Sequence, residues 1–589
     1  MKTGKLLSLC AVAFLLAPPV RAEQPKLIVA ILVDQLRYDY LERFHDQFTP
    51  GGFRLLTDDG AFMTFARYNY CPTITGPGHA SVFSGAPPAM HGIIANEWFD
   101  KRTRKTLYCC ADSTVTGVGT THSAGRMSPA NFIGANFADQ LRLHFRSKVV
   151  GISMKDRGAI LPAGKKPTGA FWFEAATGNF VTSSYYMAEL PAWVRAFNDR
   201  RRPAQFLGQT WDRLLEAKLY EREDLLPGEG SLAGEKAPTF PHLVTHPKPV
   251  SAARTSEEDD APPATAAPAA DVTTAATPKP SASPATAAAP PKESYENILP
   301  TPFSNELLAE LARAAIEGEK LGEGAGPDLL TVSFSAVDAC GHKFGPYSQE
   351  VQDITLRLDR QLSELFAYLD KKFGLAHVII TLTADHGVMP TPEFATQQGF
   401  DGQRSDELAT MADLQARLSE RFGTPNVLLS RRFYEGNLYF NHDALKDKGI
   451  APAEVAAFIR EWALATGKYQ AAYTREQLLD GRTPGPIGER VFNGYHAERS
   501  GDVVVVFKPF TINWAGKTGT THGSPYSYDT RVPVLFHGPP FKPGRYADEF
   551  YITDFVPTLC AALHITEPPA SIGKPLVKVL ADEGPRAGK

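Results

Sequence analysis

Three stretches of the chain are almost entirely apolar, and each is followed by an aspartate. The stretches and their aspartates are residues 27–33 with Asp34, residues 329–337 with Asp338, and residues 378–384 with Asp385. Uninterrupted apolar runs rich in β-branched residues are typical of strands that are buried on both faces of a sheet. We therefore predict three buried strands, each delivering an aspartate at its carboxyl end.

The segment between the last two runs has apolar residues at helical spacing. Residues 350–373 carry them every three or four positions, and Gly374 suits the residue that ends a helix. Strand, helix and strand in this order form a β-α-β unit. We predict an α/β fold with a central, mostly parallel sheet and helices on both faces. Ligands of such sheets bind beyond the carboxyl ends of the strands, where the three aspartates are expected.

The rest of the second half of the chain alternates helical and strand patterns. Residues 390–499 contain helical stretches and none of the polar motifs described below, so we predict an inserted cap or side subdomain there. The helical stretches are 411–422, 452–465 and, further on, 551–563, and the stretches with strand composition are 503–507 and 532–536.

Residues 247–291 are dominated by alanine, proline, threonine and serine. Such a segment buries too little apolar surface to fold, and we predict a disordered loop. Polar motifs that belong together lie on both sides of it. We therefore interpret it as an insertion into a single domain that covers residues 23–589.

The N-terminus has the order of a secretory signal. Lys2 and Lys5 precede an apolar run over residues 6–17, and small residues lead to Ala22. We predict that residues 1–22 are removed and that the protein is periplasmic or secreted. About a dozen apolar residues are too few to span a bilayer, and no later stretch is long enough, so we expect no stable membrane insertion.

Charge and cysteine content exclude further classes. Without Lys2, Lys5 and Arg21, the 61 basic residues become 58 against 65 acidic ones, a net charge of about −7 with no basic block. Nucleic acid is therefore not an expected partner. The five cysteines outside the signal lack CxxC spacing and are too few for a disulfide framework, although export permits a bridge. They are Cys71, Cys109, Cys110, Cys340 and Cys560.

A motif rich in proline, threonine and glycine precedes a helical stretch. Residues 69–78 read Asn-Tyr-Cys-Pro-Thr-Ile-Thr-Gly-Pro-Gly, and apolar periodicity begins at Ala80. Glycines permit a close approach to a ligand, and the amides and dipole of a helix start favour an anion. Thr75 is therefore our candidate nucleophile toward a phosphate. From these residues alone, an ordinary loop with a capping hydroxyl is the alternative.

Polar residues of the kinds that bind borderline divalent ions follow the predicted strands. They are Asp34, Asp338 with His342, Asp385 with His386, and His522. Three carboxylates and three imidazoles at the ends of parallel strands provide the ligands for two such ions, and zinc is the first choice. One of these histidines alone would more often be structural, so the prediction depends on the whole set.

The order of these motifs resembles the alkaline phosphatase superfamily, closest to the branch shared with the nucleotide pyrophosphatases/phosphodiesterases. The matching residues are Asp34, Thr75, Asp338, His342, Asp385, His386 and His522. Lys155-Asp-Arg157 resembles the PafA-type alkaline phosphatases in particular. The resemblance covers residues 27–576 except the 247–291 insertion, and it implies an alkaline-phosphatase-like catalytic domain.

The resemblance implies two zinc ions and a phosphothreonine intermediate. The implied ligands are Asp338, His342 and His522 for one ion, and Asp34, Asp385, His386 and Thr75 for the other. Coordination would favour the alkoxide of Thr75, and the two ions would stabilise the attacking and leaving oxygens. Water would then hydrolyse the phosphothreonine.

Asn96, Lys155 and Arg157 are the implied contacts of the phosphoryl group. Asn96 matches a family asparagine that donates to a non-bridging oxygen, whereas alone it is equally typical of a turn. Two residues apart on an extended chain, Lys155 and Arg157 face the same side, and an ammonium beside a guanidinium suits a phosphoryl group. A solvated charge cluster is the alternative.

We expect a secreted, zinc-dependent phosphomonoesterase that releases inorganic phosphate from small-molecule phosphate monoesters. Two divalent cations against three aspartates and the Thr75 alkoxide leave a formally neutral site, so a monoester dianion requires Lys155 and Arg157. One alternative is a phosphodiesterase or nucleotide pyrophosphatase of the same superfamily, and another is a catalytically silent, metal-binding secreted protein. A sulfatase fits poorly, because Thr73 and Thr75 stand where its pattern requires proline and arginine after Cys71. No oligomeric state is predicted.

Overall fold

The computed structural model of the protein describes residues 24–245 and 294–581. The predicted signal peptide, 1–22, and the predicted disordered loop, 247–291, lie outside these ranges. Within them, no helix is both long enough and apolar enough to cross a membrane.

A ten-stranded mixed sheet forms the centre of the fold. From one edge to the other its strands are Gly544–Tyr546, Ala61–Met63, Val534–His537, Val378–Thr383, Leu27–Val33, Asp328–Phe334, Val149–Ser153, Gly169–Glu174, Asn179–Ser183 and Gly117–Val118. The five strands from Val378–Thr383 to Gly169–Glu174 run parallel, and antiparallel pairing begins on both sides of them. The predicted α/β fold is confirmed.

Leu27–Val33 lies in the middle of the parallel region. Leu27 pairs with Asp328 on one side and with Val378 on the other, so the carboxyl ends of three neighbouring strands lie at the same edge of the sheet. All seven residues of Leu27–Val33 are buried, which explains why the run is apolar on both faces. This register places the residues that follow each strand side by side.

Helices cover the sheet and connect its strands. Gln349–Phe373 agrees with the helix predicted over 350–373, and it ends at Gly374, whose φ of 76° suits glycine. The other α-helices are Tyr38–Arg43, Phe53–Asp58, Thr75–Ser84, Pro88–His91, Phe137–Phe145, Asp156–Ala163, Ala192–Asp199, Arg202–Phe206, Pro302–Glu319, Ala336–Phe344, Pro392–Gln397, Glu407–Phe422, His442–Asp447, Pro452–Ala465, Arg475–Leu479, Gly485–Gly494, Ser527–Thr530 and Phe555–Leu563.

A second, smaller sheet belongs to what we call the side region, residues 403–516. Its strands are Asn437–Leu438, Val503–Phe507 and Tyr469–Thr474, all antiparallel. They pack with Glu407–Phe422 and Pro452–Ala465 around an apolar core separate from that of the main sheet. Residues 503–507, which we had placed outside the predicted 390–499 insertion, are thus the central strand of this small sheet. The 390–499 boundaries stay a prediction.

Short two-stranded pairs complete the described structure. They are Ala66–Arg67 with Phe550–Tyr551, Glu97–Asp100 with Lys105–Tyr108, Thr210–Trp211 with His242–Leu243, and Gln403–Arg404 with Thr511–Ile512. The last pair connects the two ends of the side region.

Candidate functional site

Neighbouring parallel strands deliver polar residues to one edge of the main sheet. Asp34 directly follows Leu27–Val33, and Asp385 lies two residues after Val378–Thr383. Lys155 likewise lies two residues after the end of its strand. All three side chains are buried. Buried charges at the carboxyl edge of a parallel sheet mark the crevice in which ligands of such folds bind.

Asp338 is delivered by a helix rather than directly by a strand. The strand predicted over 329–337 ends at Phe334, and the helix Ala336–Phe344 begins two residues later. Asp338 and His342 are therefore one helical turn apart, with His342 Nε2 3.3 Å from Asp338 Oδ1. The prediction was wrong here because an apolar run does not distinguish the end of a buried strand from the buried first turn of a helix.

Asp338, His342 and His522 form what we call the first ligand group. Their ligand atoms all lie within 4.8 Å of one another, and His522 Nε2 is 3.7 Å from Asp338 Oδ1. The group combines residues that are far apart in the sequence. One carboxylate and two imidazoles in this arrangement match the ligand types that zinc prefers.

Asp34, Asp385, His386 and Thr75 form the second ligand group. His386 Nε2 lies 3.3 Å from Asp385 Oδ2 and 3.5 Å from Thr75 Oγ1. The rings of His386 and His522 stack with their centroids 3.5 Å apart. The two groups are therefore adjacent, and Thr75 Oγ1 lies beside them.

The three imidazoles of the two groups share one orientation. In each ring, Nδ1 donates to a backbone carbonyl at 2.9 Å, and the acceptors are Thr520 for His342, Gly387 for His386 and Thr73 for His522. This hydrogen bond fixes the tautomer of the neutral ring, so that the lone pair is on Nε2, which faces the carboxylates. A metal-binding histidine is held in this way.

The electrostatics of the groups also fit cations. Burial and the neighbouring Asp385 raise the pKa of Asp34. Although burial opposes it, Asp385 raises the pKa of His386 to about 9. Within the described part of the chain, neither Asp34 Oδ2 nor Asp385 Oδ2 accepts a hydrogen bond. A carboxylate with a raised pKa and unused buried oxygens on two neighbouring carboxylates are suited to divalent ions, which displace protons from their ligands on binding.

His79 lies between Asp34 and Asp385 but is not a suitable ligand. By distance alone it groups with these two carboxylates. However, its Nδ1 contacts Thr75 O at 2.9 Å and its Nε2 contacts Ser333 Oγ at 2.8 Å. Since both ring nitrogens have other partners, His79 braces the helix that begins at Thr75, and His386 is the better placed imidazole for a cation. The sequence analysis did not identify this role.

Gln35 connects the two ligand groups and was also missed by the sequence analysis. Its backbone N–H donates to Asp385 Oδ1 at 3.1 Å, and its side-chain Nε2 donates to Asp338 Oδ1 at 2.6 Å. The residue has a φ of 64°, which a non-glycine residue rarely adopts. Strain of this kind persists where the surrounding contacts fix the backbone, as they do here.

Thr75 is the first residue of the fully buried helix Thr75–Ser84, which begins five residues before the predicted start at Ala80. A Cβ at Gly78 would lie 2.5 Å from the carbonyl oxygen of Asp385. Only glycine allows the helix to approach Asp385 this closely. Gly78 therefore serves the packing of the helix Thr75–Ser84 on the segment that carries Asp385.

Thr73, the other threonine of the motif, connects loops. Its hydroxyl donates to Ser524 O at 2.9 Å, and its carbonyl accepts the bond from His522. The buried Asp529 accepts from Ser524 N at 2.8 Å and Oγ at 2.5 Å, while its own carbonyl accepts from Gly387 N at 2.7 Å. These bonds tie the loop before Thr75 to the segments that carry His386 and His522. No sequence motif marks Asp529 as part of the site.

Lys155 and Arg157 do not lie together on an extended chain, so this prediction was wrong. Lys155 is extended, but Arg157 is in the first turn of the helix Asp156–Ala163. Lys155 Nζ lies 2.6 Å from Asp338 Oδ2 and 3.5 Å from Asp34 Oδ2, and so contacts both ligand groups. Arg157 Nη1 instead donates to the hydroxyl of Tyr108 at 3.1 Å.

Asn96 lies at the start of the nucleophile helix. Its Oδ1 accepts a hydrogen bond from Gly76 N at 2.7 Å. Because the amide oxygen is held by the backbone next to Thr75, the NH₂ group is oriented as the donor that the predicted role requires. Asn96 also lines the cavity described next.

A cavity of about 650 Å³ lies between the main sheet's site and the side region. On one side it is lined by residues of the site, among them Ile74, Asn96 and His522, and on the other by Phe433 and Trp514 of the side region. Phosphate esters that reach the ligand groups through this opening would place their organic part between the two regions.

Comparison with known proteins identifies the family of the chain. The sequence model of the type I phosphodiesterase / nucleotide pyrophosphatase family matches residues 28–527. The chain is 36% identical over 563 residues to alkaline phosphatase PafA of Elizabethkingia meningoseptica, covering 95% of each chain. It is 34% identical over 568 residues to alkaline phosphatase PhoV of Synechococcus elongatus, covering 95% of this chain and 94% of PhoV.

Solved structures of PafA share the fold. The wild-type structure has 35% sequence identity and a TM-score of 0.84, and the match covers 95% of this chain and all of that chain. In a second PafA structure, with a TM-score of 0.83, a threonine, an asparagine, a lysine and an arginine are substituted. The chain described here belongs to the type I phosphodiesterase / nucleotide pyrophosphatase family and, within it, to the alkaline phosphatases related to PafA.

Proposed function

We propose that the protein is an exported, zinc-dependent phosphomonoesterase that hydrolyses small phosphate monoesters through a phosphothreonine at Thr75. The observation that carries the proposal is the position of the Thr75 hydroxyl. Thr75 is the first residue of a buried helix. Its Oγ1 lies 3.5 Å from His386 Nε2, beside the two ligand groups. An attacking oxygen, a helix N-terminus and cation ligands at one point suit phosphoryl transfer.

The relatives support the chemistry and the residues. PafA and PhoV are both named alkaline phosphatases. The threonine and asparagine substituted in the PafA variant are 21 residues apart, as are Thr75 and Asn96 here, and its lysine and arginine are two apart, as are Lys155 and Arg157. The same four residue types at the same spacings favour the same roles in this chain.

The reaction consists of two displacements at phosphorus. In the first, the Thr75 hydroxyl gives up its proton to solvent, its Oγ1 forms a bond to phosphorus as the bond to the ester oxygen breaks, and the released alkoxide takes up a proton from solvent to become the alcohol. In the second, a water molecule loses a proton as its oxygen attacks the phosphothreonine, the bond between phosphorus and Thr75 Oγ1 breaks, and Oγ1 takes up a proton as inorganic phosphate leaves. The fixed position of Thr75 on a buried helix reduces the entropic cost of the first displacement.

The chain has distinct groups for holding the ions and the substrate. Asp338, His342 and His522 would hold one zinc ion, and Asp34, Asp385 and His386 the other. When bound, the two ions supply Lewis-acid stabilisation of negative charge on oxygen. Asn96 donates from its NH₂ group to a phosphoryl oxygen, and Lys155 and Arg157 balance the charge of a dianion.

Lys155 is the better placed of the two cations. Its Nζ already bridges Asp338 and Asp34, so it lies between the ligand groups, where a phosphoryl group would also lie. Arg157 is oriented by Tyr108 and is 4% exposed. A monoester dianion needs both charges, whereas a diester monoanion needs fewer and has one oxygen blocked.

The proposal is tested by comparing esters on purified, zinc-loaded protein. Release of nitrophenol from p-nitrophenyl phosphate is expected to exceed release from bis-p-nitrophenyl phosphate. The double variant Lys155→Ala/Arg157→Ala is expected to lose monoester turnover by a much larger factor than diester turnover, since it removes charge that only the dianion requires. A preference for the diester in the wild type would favour the phosphodiesterase alternative, and no hydrolysis of either ester would favour a catalytically silent protein.

Export rests on the predicted signal over residues 1–22. Mass spectrometry of protein collected from the periplasm or the medium is expected to show a chain beginning near Glu23. A full-length chain retained in the cytoplasm would contradict export without affecting the proposed chemistry.

A further inference from the structure

This inference rests on the proposed function and concerns the organic part of the substrate. In an in-line displacement, the attacking and leaving oxygens lie on opposite sides of phosphorus. Thr75 is in contact with His386 of the second ligand group. The leaving oxygen therefore points toward the first group, Asp338, His342 and His522. Whatever is bonded to that oxygen must occupy the space next to this group.

The cavity between the two regions begins at that position. Its lining includes His522 of the first group and Asn96 beside Thr75, and it continues along the side region to Phe433 and Trp514. Its volume of about 650 Å³ exceeds what a phosphoryl group needs. The cavity therefore has room for a bulky group bonded to the leaving oxygen.

Trp514 forms part of the wall of this cavity, and the edge of its ring lies near the backbone of His342. A Cβ at Gly519 would lie 2.6 Å from His342 O and 3.8 Å from Trp514 Cζ2, so the indole edge and the backbone of His342 lie close to the same glycine. Trp514 is itself half-buried. An aromatic surface is thus placed near the backbone of His342, on the same side of the cavity as the first ligand group.

The indole ring is held in place before any substrate binds. The guanidinium carbon of Arg404 lies 5.7 Å from the centre of the Trp514 ring. Arg404 is in turn fixed by two hydrogen bonds to Glu393, at 2.7 and 2.8 Å, and by one to Gly519 O at 2.7 Å. A preorganised aromatic surface loses little entropy when a second ring stacks on it.

Polar residues such as Asn96, Glu435 and Asn513 line part of the cavity, and much of the rest of its lining is apolar. Ile74, Ile94, Met389 and Phe433 line the cavity together with Trp514. Apolar and aromatic walls beside a rigid ring favour a planar aromatic group over a flexible or strongly hydrated one.

We propose that the cavity binds the leaving group of the substrate, that it prefers a planar aromatic group, and that Trp514 is the residue that determines this preference. The preference is for a ring bonded directly to the ester oxygen, as in aryl phosphates, because the indole lies near the backbone of His342 and lines the same cavity as His522. A base separated from the phosphate by a sugar would place its ring further along the cavity.

The test compares phenyl phosphate with cyclohexyl phosphate, which have similar size but differ in planarity. In Trp514→Leu, which keeps an apolar side chain and removes the ring, kcat/KM for phenyl phosphate is expected to fall by up to about tenfold, the value of an aromatic pair. The value for cyclohexyl phosphate is expected to change less than about twofold. Trp514→Phe, which retains a ring, is expected to recover most of the phenyl phosphate activity.

Trp193→Leu is the matched control, because Trp193 is also half-buried and packs on Phe171, away from the cavity. It is expected to leave the ratio of the two kcat/KM values unchanged. An equal loss for both esters in Trp514→Leu would overturn the proposal, since Trp514 would then only support His342. If Trp514→Leu lowered kcat/KM for a nucleoside 5′-monophosphate more than for phenyl phosphate, the position assigned to the ring of the substrate would be overturned.

Failure of the proposed function can be distinguished from failure of this inference. If the zinc-loaded wild type hydrolyses no ester, calorimetric titration with phenylphosphonate and cyclohexylphosphonate still measures the preference. Tighter binding of the phenyl compound that is lost in Trp514→Leu supports the inference, and equal binding of the two compounds overturns it.

Discussion

Two regions of this protein bury carboxylates beside imidazoles, and they use them differently. One is the candidate site with its two ligand groups. The other, which we call the buried acid cluster, consists of Glu229, Glu235, Glu350 and His242. His242 contacts Glu235 Oε2 through Nδ1 at 3.0 Å and Glu350 Oε1 through Nε2 at 3.1 Å. Both of its ring nitrogens thus face carboxylates, whereas each ligand histidine has one nitrogen bonded to a backbone carbonyl.

The second partner of the ring determines its chemistry. Although burial opposes it, the hydrogen bonds with Glu235 and Glu350 raise the pKa of His242 to about 9. His242 is therefore a buried cation that neutralises carboxylates, and it has no lone pair left for a metal. In the site, a carbonyl takes Nδ1–H, and Nε2 becomes available to a cation that displaces its proton. The same residue types form a structural ion pair in one region and a proposed ligand set in the other.

Removing divalent ions is the largest expected perturbation of the site. Dialysis against a chelator is expected to abolish phosphatase activity and to lower the melting temperature, because ions that bind only the folded chain stabilise it. Readdition of Zn²⁺ is expected to restore both. Activity that survives complete removal of metal, verified by elemental analysis, would contradict the distinction between the two regions.

Thr75→Ala is expected to lower turnover by roughly a thousandfold or more, because it removes the attacking oxygen. Zinc content and melting temperature are expected to remain close to those of the wild type, since six ligands remain. Thr75→Ser is expected to keep measurable activity. Thr73→Ala is the control, because it removes a hydrogen bond to Ser524 but leaves the proposed nucleophile in place. A similar loss of turnover in Thr73→Ala would contradict the assignment of the attack to Thr75.

In the buried acid cluster, His242→Phe is expected to lower the stability of the protein but not its turnover, the opposite of Thr75→Ala. Removing one partner of a buried ion pair leaves uncompensated carboxylates and costs about 3–5 kcal/mol of the free energy of unfolding. Turnover per folded, zinc-loaded molecule is expected to stay near the wild-type value, as measured below the melting temperature. Loss of zinc in this variant would show that the cluster and the site are not independent.

The smallest effect is expected from Glu229→Gln, and it depends on pH. Burial and then the neighbouring Glu350 raise the pKa of Glu229 from 4.5 to about 9. The folded state therefore favours the protonated form, and its stability is fully present below pH 4.5 and falls as the pH rises toward 9. Glutamine resembles the protonated form. At pH 4.5 the melting temperature of the variant is expected to equal that of the wild type. At pH 8.5 it is expected to be roughly 2–4 °C higher. A constant difference across this range would contradict the assignment.

The sequence predicted those parts of the structure that depend on local pattern. The buried strand before Asp34 and the helix Gln349–Phe373 have uniform burial or regular periodicity, and both were predicted nearly to the residue. The six metal-ligand candidates were found because aspartate and histidine at strand ends are unusual enough to be recognised as a set. The structure brings all six together, and their roles remain proposals.

Other residues of the site could not be found from pattern. Gln35 matters because its backbone adopts a φ of 64° and its side chain reaches Asp338, which is distant in sequence. His79 and Asp529 act through contacts with loops that only the fold brings near. Arg157 was misplaced because a strand gives way to a helix immediately after Lys155, without a glycine or proline to mark the change.

The wide separation of the ligands along the chain has a consequence for biosynthesis. Asp34 is made early, whereas His522, whose ring stacks on that of His386, is made only after the whole side region. A nascent chain therefore cannot complete the centre until nearly all of it has left the ribosome. Under the proposed function, ions would be captured only after most of the chain has been made, so the ion acquired would depend on the metals available in the compartment where the chain folds.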